Sequence, residues 1–219
     1  MNVNGELTKI GVVAHTDKAY FHNFTPIYER FLFDKRETLQ TMIEVGVLEG
    51  GSMKMWDTYF TGAKLLLGLD ITLEKVKPET QYSDRVKLEV CDPTNTTQLE
   101  PMMNKYSIAQ GSVDLIIDDA SHIVSHQIIN LFNMWKYVKS GGMYIIEDVH
   151  TSVPSLIGRH AHLATNGGYM DVEIGTDERI FHLMHGQPAF PGLPPNEIEH
   201  IAYFSNAATL SLTCIITKK

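Results

Sequence analysis

The sequence predicts an α/β fold in which helices cover both faces of a doubly wound, mostly parallel sheet that ends in a C-terminal antiparallel hairpin. Five short apolar runs, at residues 42–47, 65–70, 86–90, 113–118 and 143–147, have the length and composition of buried strands. Helical stretches separate these runs, which favours parallel strands joined by helical crossovers. Two further apolar runs, at residues 198–204 and 209–216, flank a short turn at Ser205 and Asn206 and predict the hairpin.

The clearest helical pattern lies between the fourth and fifth predicted strands. Apolar residues recur there at near-helical spacing, at Ile128, Leu131, Phe132, Trp135 and Val138. Gly141 and Gly142 follow and predict the end of this helix.

We interpret the 219 residues as a single globular domain, because this length suits one large α/β domain with a substantial core. Residues 1–40 are expected to form an N-terminal helical lid segment ahead of the first strand. Residues 41–219 are expected to form the main domain, and we find no internal repeat or linker in them.

Composition excludes several classes of partner. Lys and Arg total 18 against 26 Asp and Glu, so the net charge is −8, and no basic cluster is present for a nucleic acid. No apolar run is long enough to span a bilayer, so we expect no membrane partner. Cys91 and Cys214 form no CxxC pair, which excludes a zinc ribbon and indicates buried free thiols. A reducing, cytoplasmic location is the resulting expectation.

Two acidic clusters mark the ends of the fourth and fifth predicted strands. Asp118-Asp119 follows one apolar run, Glu147-Asp148 follows the other, and His122 lies three residues after Asp119. The carboxyl ends of neighbouring parallel strands lie side by side, and open α/β sheets bind their ligands at this edge. Because four converging carboxylates repel one another, the pattern predicts a positive group between them, of which a divalent metal ion is the foremost candidate.

A glycine loop follows the first predicted strand. Glu44, Gly46, Gly50 and Ser52 belong to this segment, in which glycines permit close approach of a ligand to the backbone. The loop has no Lys-Ser/Thr pair, which argues against a P-loop NTPase. Asp70, at the end of the second strand, is placed to accept hydrogen bonds from ribose hydroxyls, but this position does not by itself separate a dinucleotide from another nucleoside cofactor. Asp92 ends the third strand, where adenine contacts normally fall.

Several motifs together resemble one family. They are Thr16-Asp17-Lys18, His22, Tyr28-Glu29, the Glu44 loop with its acid-x-Gly-x-x-x-Gly spacing, Trp56, Leu69-Asp70-Ile71, Asp118-Asp119-Ala120-Ser121-His122 and Glu147-Asp148-Val149-His150-Thr151-Ser152. In this order they resemble the metal-dependent sugar O-methyltransferases of the mycinamicin and macrocin type. These are class I methyltransferases, with a Rossmann-like sheet and a closing hairpin, that use S-adenosylmethionine (AdoMet).

This resemblance implies an AdoMet- and Mg²⁺-dependent O-methyltransferase that acts on a hydroxyl of a sugar or glycosylated small molecule. It implies that Asp119, Glu147 and Asp148 bind Mg²⁺ and that His122 is the general base, so that His122 and Asp119 form the catalytic pair. The cofactor site that it implies contains Glu44, Gly46, Gly50, Ser52, Asp70, Ile71, Asp92 and Asp118.

Alternatives remain at this stage. A catechol-type O-methyltransferase also combines AdoMet with carboxylate-bound Mg²⁺, and a non-catalytic AdoMet-binding module would share the fold. Asp118 either contacts the cofactor or fixes its loop, and His150 either lines the pocket or caps a loop. Residues 16–28 form either a lid or a packed N-terminal helix. Exposed apolar positions in the hairpin and the N-terminal helix permit a homo-oligomer.

Overall fold

One sheet organises the protein. The computed structural model describes residues 5–149, 169–173, 193–206 and 211–219. In this part of the chain eight strands form a single sheet of order β3-β2-β1-β4-β5-β8-β7-β6. The strands are β1 (Thr41–Val45), β2 (Leu65–Asp70), β3 (Val86–Val90), β4 (Val113–Asp118), β5 (Val138–Ile146), β6 (Tyr169–Glu173), β7 (Ile198–Asn206) and β8 (Ser211–Lys218).

Six helices accompany these strands in the described residues. They are α1 (Glu6–Val13), α2 (Asp17–Tyr20), α3 (Thr25–Leu32), α4 (Gly51–Tyr59), α5 (Thr96–Lys105) and α6 (Val124–Met134). Short 3-10 helices occur at Phe33–Lys35, Trp135–Tyr137 and Pro195–Glu197.

The strand directions confirm the predicted fold. Strands β1 to β5 pair in parallel, with β1 between β2 and β4 and with β5 beside β4. Strand β8 is antiparallel to β5, β7 is antiparallel to β8, and β6 is antiparallel to β7. The structure is therefore a doubly wound, mostly parallel sheet that closes with an antiparallel hairpin. Strand β6 adds a further antiparallel pair that the sequence did not predict.

Apolar cores lie on both faces of the sheet. Helices α5 and α6 contribute Leu99, Met103, Leu131 and Met134 to one core. Helices α1, α3 and α4 contribute to the other, with Leu7, Ile27 and Trp56 among the buried residues. Because helices cover both faces of the sheet, the central strands consist of nearly continuous apolar residues.

Two boundaries differ from the sequence prediction. Helix α6 ends at Met134, the chain passes through the 3-10 turn, and Gly141 and Gly142 lie within β5. The reason is that Val138 already pairs with Val113, and a register shift between Val113 and Leu115 accommodates the glycines. Strand β7 continues through Ser205 and Asn206, so the link to β8 lies at residues 207–210, outside the described residues.

Cys91 and Cys214 are buried and form no disulfide with each other. None of the helices in the described ranges is long and apolar enough to cross a bilayer.

A buried carboxylate joins α4 to the start of β3. Asp57 is 6% exposed and accepts hydrogen bonds from Ser83 N (2.9 Å), Ser83 Oγ (2.6 Å) and Arg85 Nε (2.9 Å). Arg85 also donates to the carbonyl oxygen of Phe60 at 2.9 Å, beyond the end of α4. Burial opposes the ionisation of Asp57, but the Ser83 and Arg85 contacts outweigh it and lower the pKa of the carboxyl group.

We therefore expect Asp57→Asn to lower the free energy of unfolding by about 2–3 kcal/mol. The asparagine cannot form the ion pair with Arg85, and its amide NH₂ would face Ser83 and Arg85, which are themselves donors at this site. Urea denaturation measures this change. Glu100→Gln is the matched control, since Glu100 is exposed in its pair with Lys136 and its loss should cost less than about 0.5 kcal/mol. Equal effects of the two substitutions would contradict the structural role of Asp57.

Candidate functional site

A cavity of about 670 Å³ opens at the carboxyl edge of the sheet. Its walls come from the segments that follow β1, β2, β3 and β4, from Asp148 after β5, and from the N-terminal residues around α2. Because β2 and β4 flank β1 on opposite sides, the chain reverses its winding direction at this point. Such a switch point is where open α/β sheets bind ligands.

The glycine loop approaches the end of β4 very closely. Gly46 has a φ of 86°, and a Cβ atom at this position would lie 2.1 Å from the carbonyl oxygen of Asp119. The carboxylate of Asp70 fixes the same loop, because Oδ2 accepts hydrogen bonds from the amides of Val47 (2.9 Å) and Leu48 (3.3 Å). The loop and the first acidic cluster therefore form one continuous wall.

A buried ammonium group joins the acidic strand ends. Lys18 in α2 is 1% exposed, and its Nζ lies 2.9 Å from Glu147 Oε1, 3.4 Å from Glu44 Oε1 and in contact with Asp119 Oδ2. Tyr28 donates a hydrogen bond to Glu147 Oε1, the same oxygen that lies closest to Lys18 Nζ. Trp56 Nε1 donates to Glu44 Oε2 at 3.0 Å. The positive group that the acidic clusters require is thus supplied in part by the protein itself.

This arrangement controls the ionisation of the cluster. Burial alone would lower the pKa of Lys18, but Asp119, Glu147 and Glu44 raise it well above its ordinary value. Burial raises the pKa of Glu44 to about 7 despite the nearby Lys18. Burial, reinforced by Asp119, also raises the pKa of Glu147 well above its ordinary value. Burial opposes the ionisation of Asp119, but Lys18 and His122 lower its pKa.

Three residues form a compact set of potential metal ligands. One side-chain ligand atom from each of Asp119, His122 and Asp148 lies within 4.8 Å of the others. His122 Nε2 is 3.0 Å from Asp119 Oδ1 and 3.5 Å from Asp148 Oδ2. The hydrogen bond to Asp119 raises the pKa of His122 above its ordinary value. His122 and Asp148 have left-handed φ angles of 55° and 52°, and residues in this sparsely populated region concentrate at functional sites.

The structure separates the predicted site residues into two groups. The cavity is lined by Gly46, Ser52, Asp70, Ile71, Asp92, Asp119, His122 and Asp148. Within its described lining, Glu44, Gly50, Asp118 and Glu147 do not occur. Gly50 is the N-cap of α4, with a φ of 85°, and its carbonyl oxygen accepts a hydrogen bond from Tyr82 at 3.1 Å. His150, Thr151 and Ser152 lie outside the described residues.

Asp118 points away from the cavity. Side chains alternate along a strand, so Asp118 faces α6, where Asn130 Nδ2 donates to its Oδ2 at 3.1 Å. Burial raises the pKa of Asp118 to about 7. Its neighbour Asp119 lies at the other face and reaches the cavity.

The sequence alone predicts no individual function for two residues of this site, Lys18 and Tyr28. Both occur in motifs that resemble the sugar O-methyltransferases, but neither position indicates a contact with residues more than 100 positions away. The available signal was the predicted convergence of four carboxylates, which requires a cation, together with a lysine in the short segment ahead of α3.

The strand order, the glycine loop after β1 and the cavity at the switch point define the class I methyltransferase fold. The same fold occurs in a solved structure of the MycE methyltransferase from the mycinamycin biosynthetic pathway, in complex with Mg, SAH and mycinamycin VI. The match has a TM-score of 0.68 and 22% sequence identity, and it covers 98% of this chain and 54% of that chain. No known family profile matches the sequence.

Sequence comparison shows that part of the chain is similar to curated O-methyltransferases that act on natural products. An 8-demethyl-8-alpha-L-rhamnosyl tetracenomycin-C 2'-O-methyltransferase of Streptomyces olivaceus is 31% identical over 144 residues, which are 63% of this chain and 36% of that protein. Demethylmacrocin O-methyltransferase of Streptomyces fradiae is 33% identical over 138 residues, which are 60% of this chain and 33% of that protein. The chain thus spans only about a third of the length of these curated relatives.

The close approach at Gly46 generates a stability prediction. Gly46→Ala should lower the free energy of unfolding by roughly 3 kcal/mol, because a left-handed alanine costs about 1–2 kcal/mol and the clash with the Asp119 carbonyl adds an overpacking cost. Urea denaturation with fluorescence detection measures the change.

Gly141→Ala isolates the backbone contribution. Gly141 has a φ of 71° but nothing within 4 Å of an added Cβ atom, so this substitution should cost only about 1–2 kcal/mol. If Gly46→Ala and Gly141→Ala lower the free energy of unfolding by the same amount, the contact between the glycine loop and the end of β4 is not tight.

Proposed function

We propose that this chain is an AdoMet- and Mg²⁺-dependent O-methyltransferase that transfers a methyl group to a hydroxyl of a sugar or glycosylated natural product. The observation that carries the proposal is the shared cavity, in which the glycine loop and Asp70 face the Asp119, His122 and Asp148 set. The similarity to a rhamnosyl tetracenomycin-C 2'-O-methyltransferase and to demethylmacrocin O-methyltransferase supports a sugar or glycosylated natural product as the acceptor.

The cofactor would occupy the part of the cavity beside the glycine loop. Gly46, Ser52, Asp70, Ile71 and Asp92 are the proposed direct contacts, because they line this wall. Among the residues that the structure describes, Asp70 Oδ1 receives only a long hydrogen bond from Thr72 N at 3.3 Å, which leaves this oxygen suited to ribose hydroxyls. Glu44, Gly50 and Asp118 are proposed to support the cofactor from behind, by holding the loop, the start of α4 and the end of β4.

The residues around Asp119 suit a hard divalent cation. Asp119, Glu147 and Asp148 are proposed to hold Mg²⁺, since carboxylate oxygens on two adjacent strand ends are the ligands that this ion prefers. Asp119 and Asp148 already face each other across His122, and Lys18 holds Glu147 beside Asp119. When bound, the ion would supply Lewis acidity that favours the ionised form of the acceptor hydroxyl.

His122 is the proposed general base. Its imidazole is 37% exposed toward the cavity and would take the proton that the acceptor hydroxyl loses as the oxygen attacks the methyl carbon. Asp119 and Asp148 would stabilise the resulting imidazolium. The sulfur of AdoMet retains the bonding electrons of the broken S–C bond, so the products are a methyl ether and S-adenosylhomocysteine.

The N-terminal segment is the proposed cover of the acceptor side. His15 to Lys18, Tyr20 and His22 line the cavity opposite the strand ends, which supports the predicted lid in residues 1–40 with the domain at residues 41–219. A cytoplasmic location is supported by the two buried cysteines, which are not joined in a disulfide. A homo-oligomeric state stays a prediction of the sequence.

Methyl transfer tests the proposed function directly. The protein should bind AdoMet in calorimetry and transfer its labelled methyl group to a rhamnosyl or macrolide glycoside, with activity lost in EDTA and restored by Mg²⁺. A catechol offered under the same conditions tests the catechol-type alternative. AdoMet binding with no transfer to any acceptor would favour the non-catalytic module, and full activity in EDTA would remove the metal from the reaction.

Replacement of the base should separate chemistry from binding. His122→Ala should lower kcat by about 10²–10⁴ while AdoMet affinity stays nearly constant, because the imidazole acts on the acceptor proton. His200→Gln, in β7 and outside the cavity lining, controls for loss of a histidine. A parallel loss of AdoMet affinity in His122→Ala would instead assign His122 to cofactor binding or to structure.

A further inference from the structure

Lys18 occupies a position that the proposed metal site also requires. Its Nζ contacts Asp119 Oδ2 and lies within 3.0 Å of both carboxylate oxygens of Glu147. These are two of the three residues proposed to bind Mg²⁺. A carboxylate oxygen that directs its lone pairs at an ammonium group is a poorer ligand for a second cation, so the lysine and the metal ion compete for the same oxygens.

A second acceptor for Lys18 is already in place. Glu44 Oε1 is buried and forms a long ion pair with Lys18 Nζ, at 3.4 Å, whose geometry falls short of a direct hydrogen bond. The other oxygen, Oε2, is held by Trp56 Nε1 at 3.0 Å, which fixes the carboxylate. A short displacement of the ammonium group would turn this long ion pair into a direct, charge-assisted hydrogen bond.

We propose that Lys18 is a positioning residue whose ammonium group holds Glu147 and Asp119 before the metal ion binds and moves to Glu44 Oε1 when it does. This inference rests on the proposed magnesium role. The exchange keeps the lysine paired throughout, because one carboxylate replaces another as its partner. It also frees the carboxylate oxygens of Glu147 to bind the metal ion.

The exchange predicts that removal of Lys18 strengthens Mg²⁺ binding rather than weakening it. Lys18→Met removes a competitor, so isothermal titration with MgCl₂ should show binding that is about tenfold tighter than in the unmodified protein. A lysine that only supported the architecture would give the opposite result, because its loss would disorder the carboxylates and weaken the site. Lys105→Met is the matched control, since Lys105 pairs with Glu89 on an exposed surface, and its Mg²⁺ affinity should be unchanged.

Glu44→Gln tests whether Glu44 is the partner of Lys18 when Mg²⁺ is bound. The amide is isosteric and its oxygen still accepts from Trp56, so this variant should fold even if Lys18→Met does not. It should bind Mg²⁺ about tenfold more weakly, because Lys18 then has no anionic partner to receive it. In a Lys18→Met background the same Glu44→Gln change should have little effect on Mg²⁺ affinity.

The outcomes distinguish the two proposals. Unchanged or weaker Mg²⁺ binding in Lys18→Met, unchanged binding in Glu44→Gln, or an equal Glu44→Gln effect in both backgrounds would overturn the exchange while leaving the methyltransferase proposal intact. Failure of the unmodified protein to bind Mg²⁺ would overturn the metal assignment and the exchange together. Mg²⁺ binding with the predicted shifts but no methyl transfer would support the exchange and refute the proposed activity.

Discussion

The ion cluster around Lys18 is the interaction on which the site depends. One ammonium group from the four-residue helix α2 meets carboxylates from the ends of β1, β4 and β5, at Glu44, Asp119 and Glu147. Removing one member of a buried charge pair typically costs roughly 3–5 kcal/mol, which is a large share of the total stability of a domain of this kind. The N-terminal segment is therefore fixed to the carboxyl edge of the sheet by electrostatics as well as by the apolar contacts of Leu7 and Ile27.

Because side chains alternate along β4, two adjacent aspartates lie in different environments on opposite faces of the sheet. Asp118 turns into the core beneath α6 and is held by Asn130, whereas Asp119 turns toward the cavity and meets Lys18 and His122. A shift of one residue in the register of β4 would exchange these positions and bury Asp119, the proposed metal ligand. The register is fixed by parallel pairing on both sides, with β1 and with β5, and by the contact between Gly46 and the Asp119 carbonyl.

Much of this could be predicted from the sequence, because the relevant signals are local. The five parallel strands, the closing hairpin and the meeting of the two acidic clusters follow from apolar runs and from the acids at their ends. Lys18 could not be predicted in the same way, since its contact with Asp119 spans 101 residues and α2 is too short to show a helical period. The prediction that Gly141 and Gly142 end a helix was wrong for a related reason. Glycine often ends helices by local preference, but here the pairing of Val138 with Val113 places the two glycines within β5.

Of Lys18, Asp119 and His122, which all line the cavity, His122 has the proton affinity best suited to the proposed base. Lys18 also lines the cavity, but its carboxylate partners raise its pKa so far that it stays protonated near neutral pH and cannot accept a proton. Asp119 is too weak a base, because Lys18 and His122 hold its pKa below the ordinary value of a carboxyl group. His122 lies between these limits, with a pKa that Asp119 raises from a value already close to neutrality. General-base catalysis is most efficient for a group that titrates near the working pH, so the charges that hold the site together also favour His122 as the proposed base.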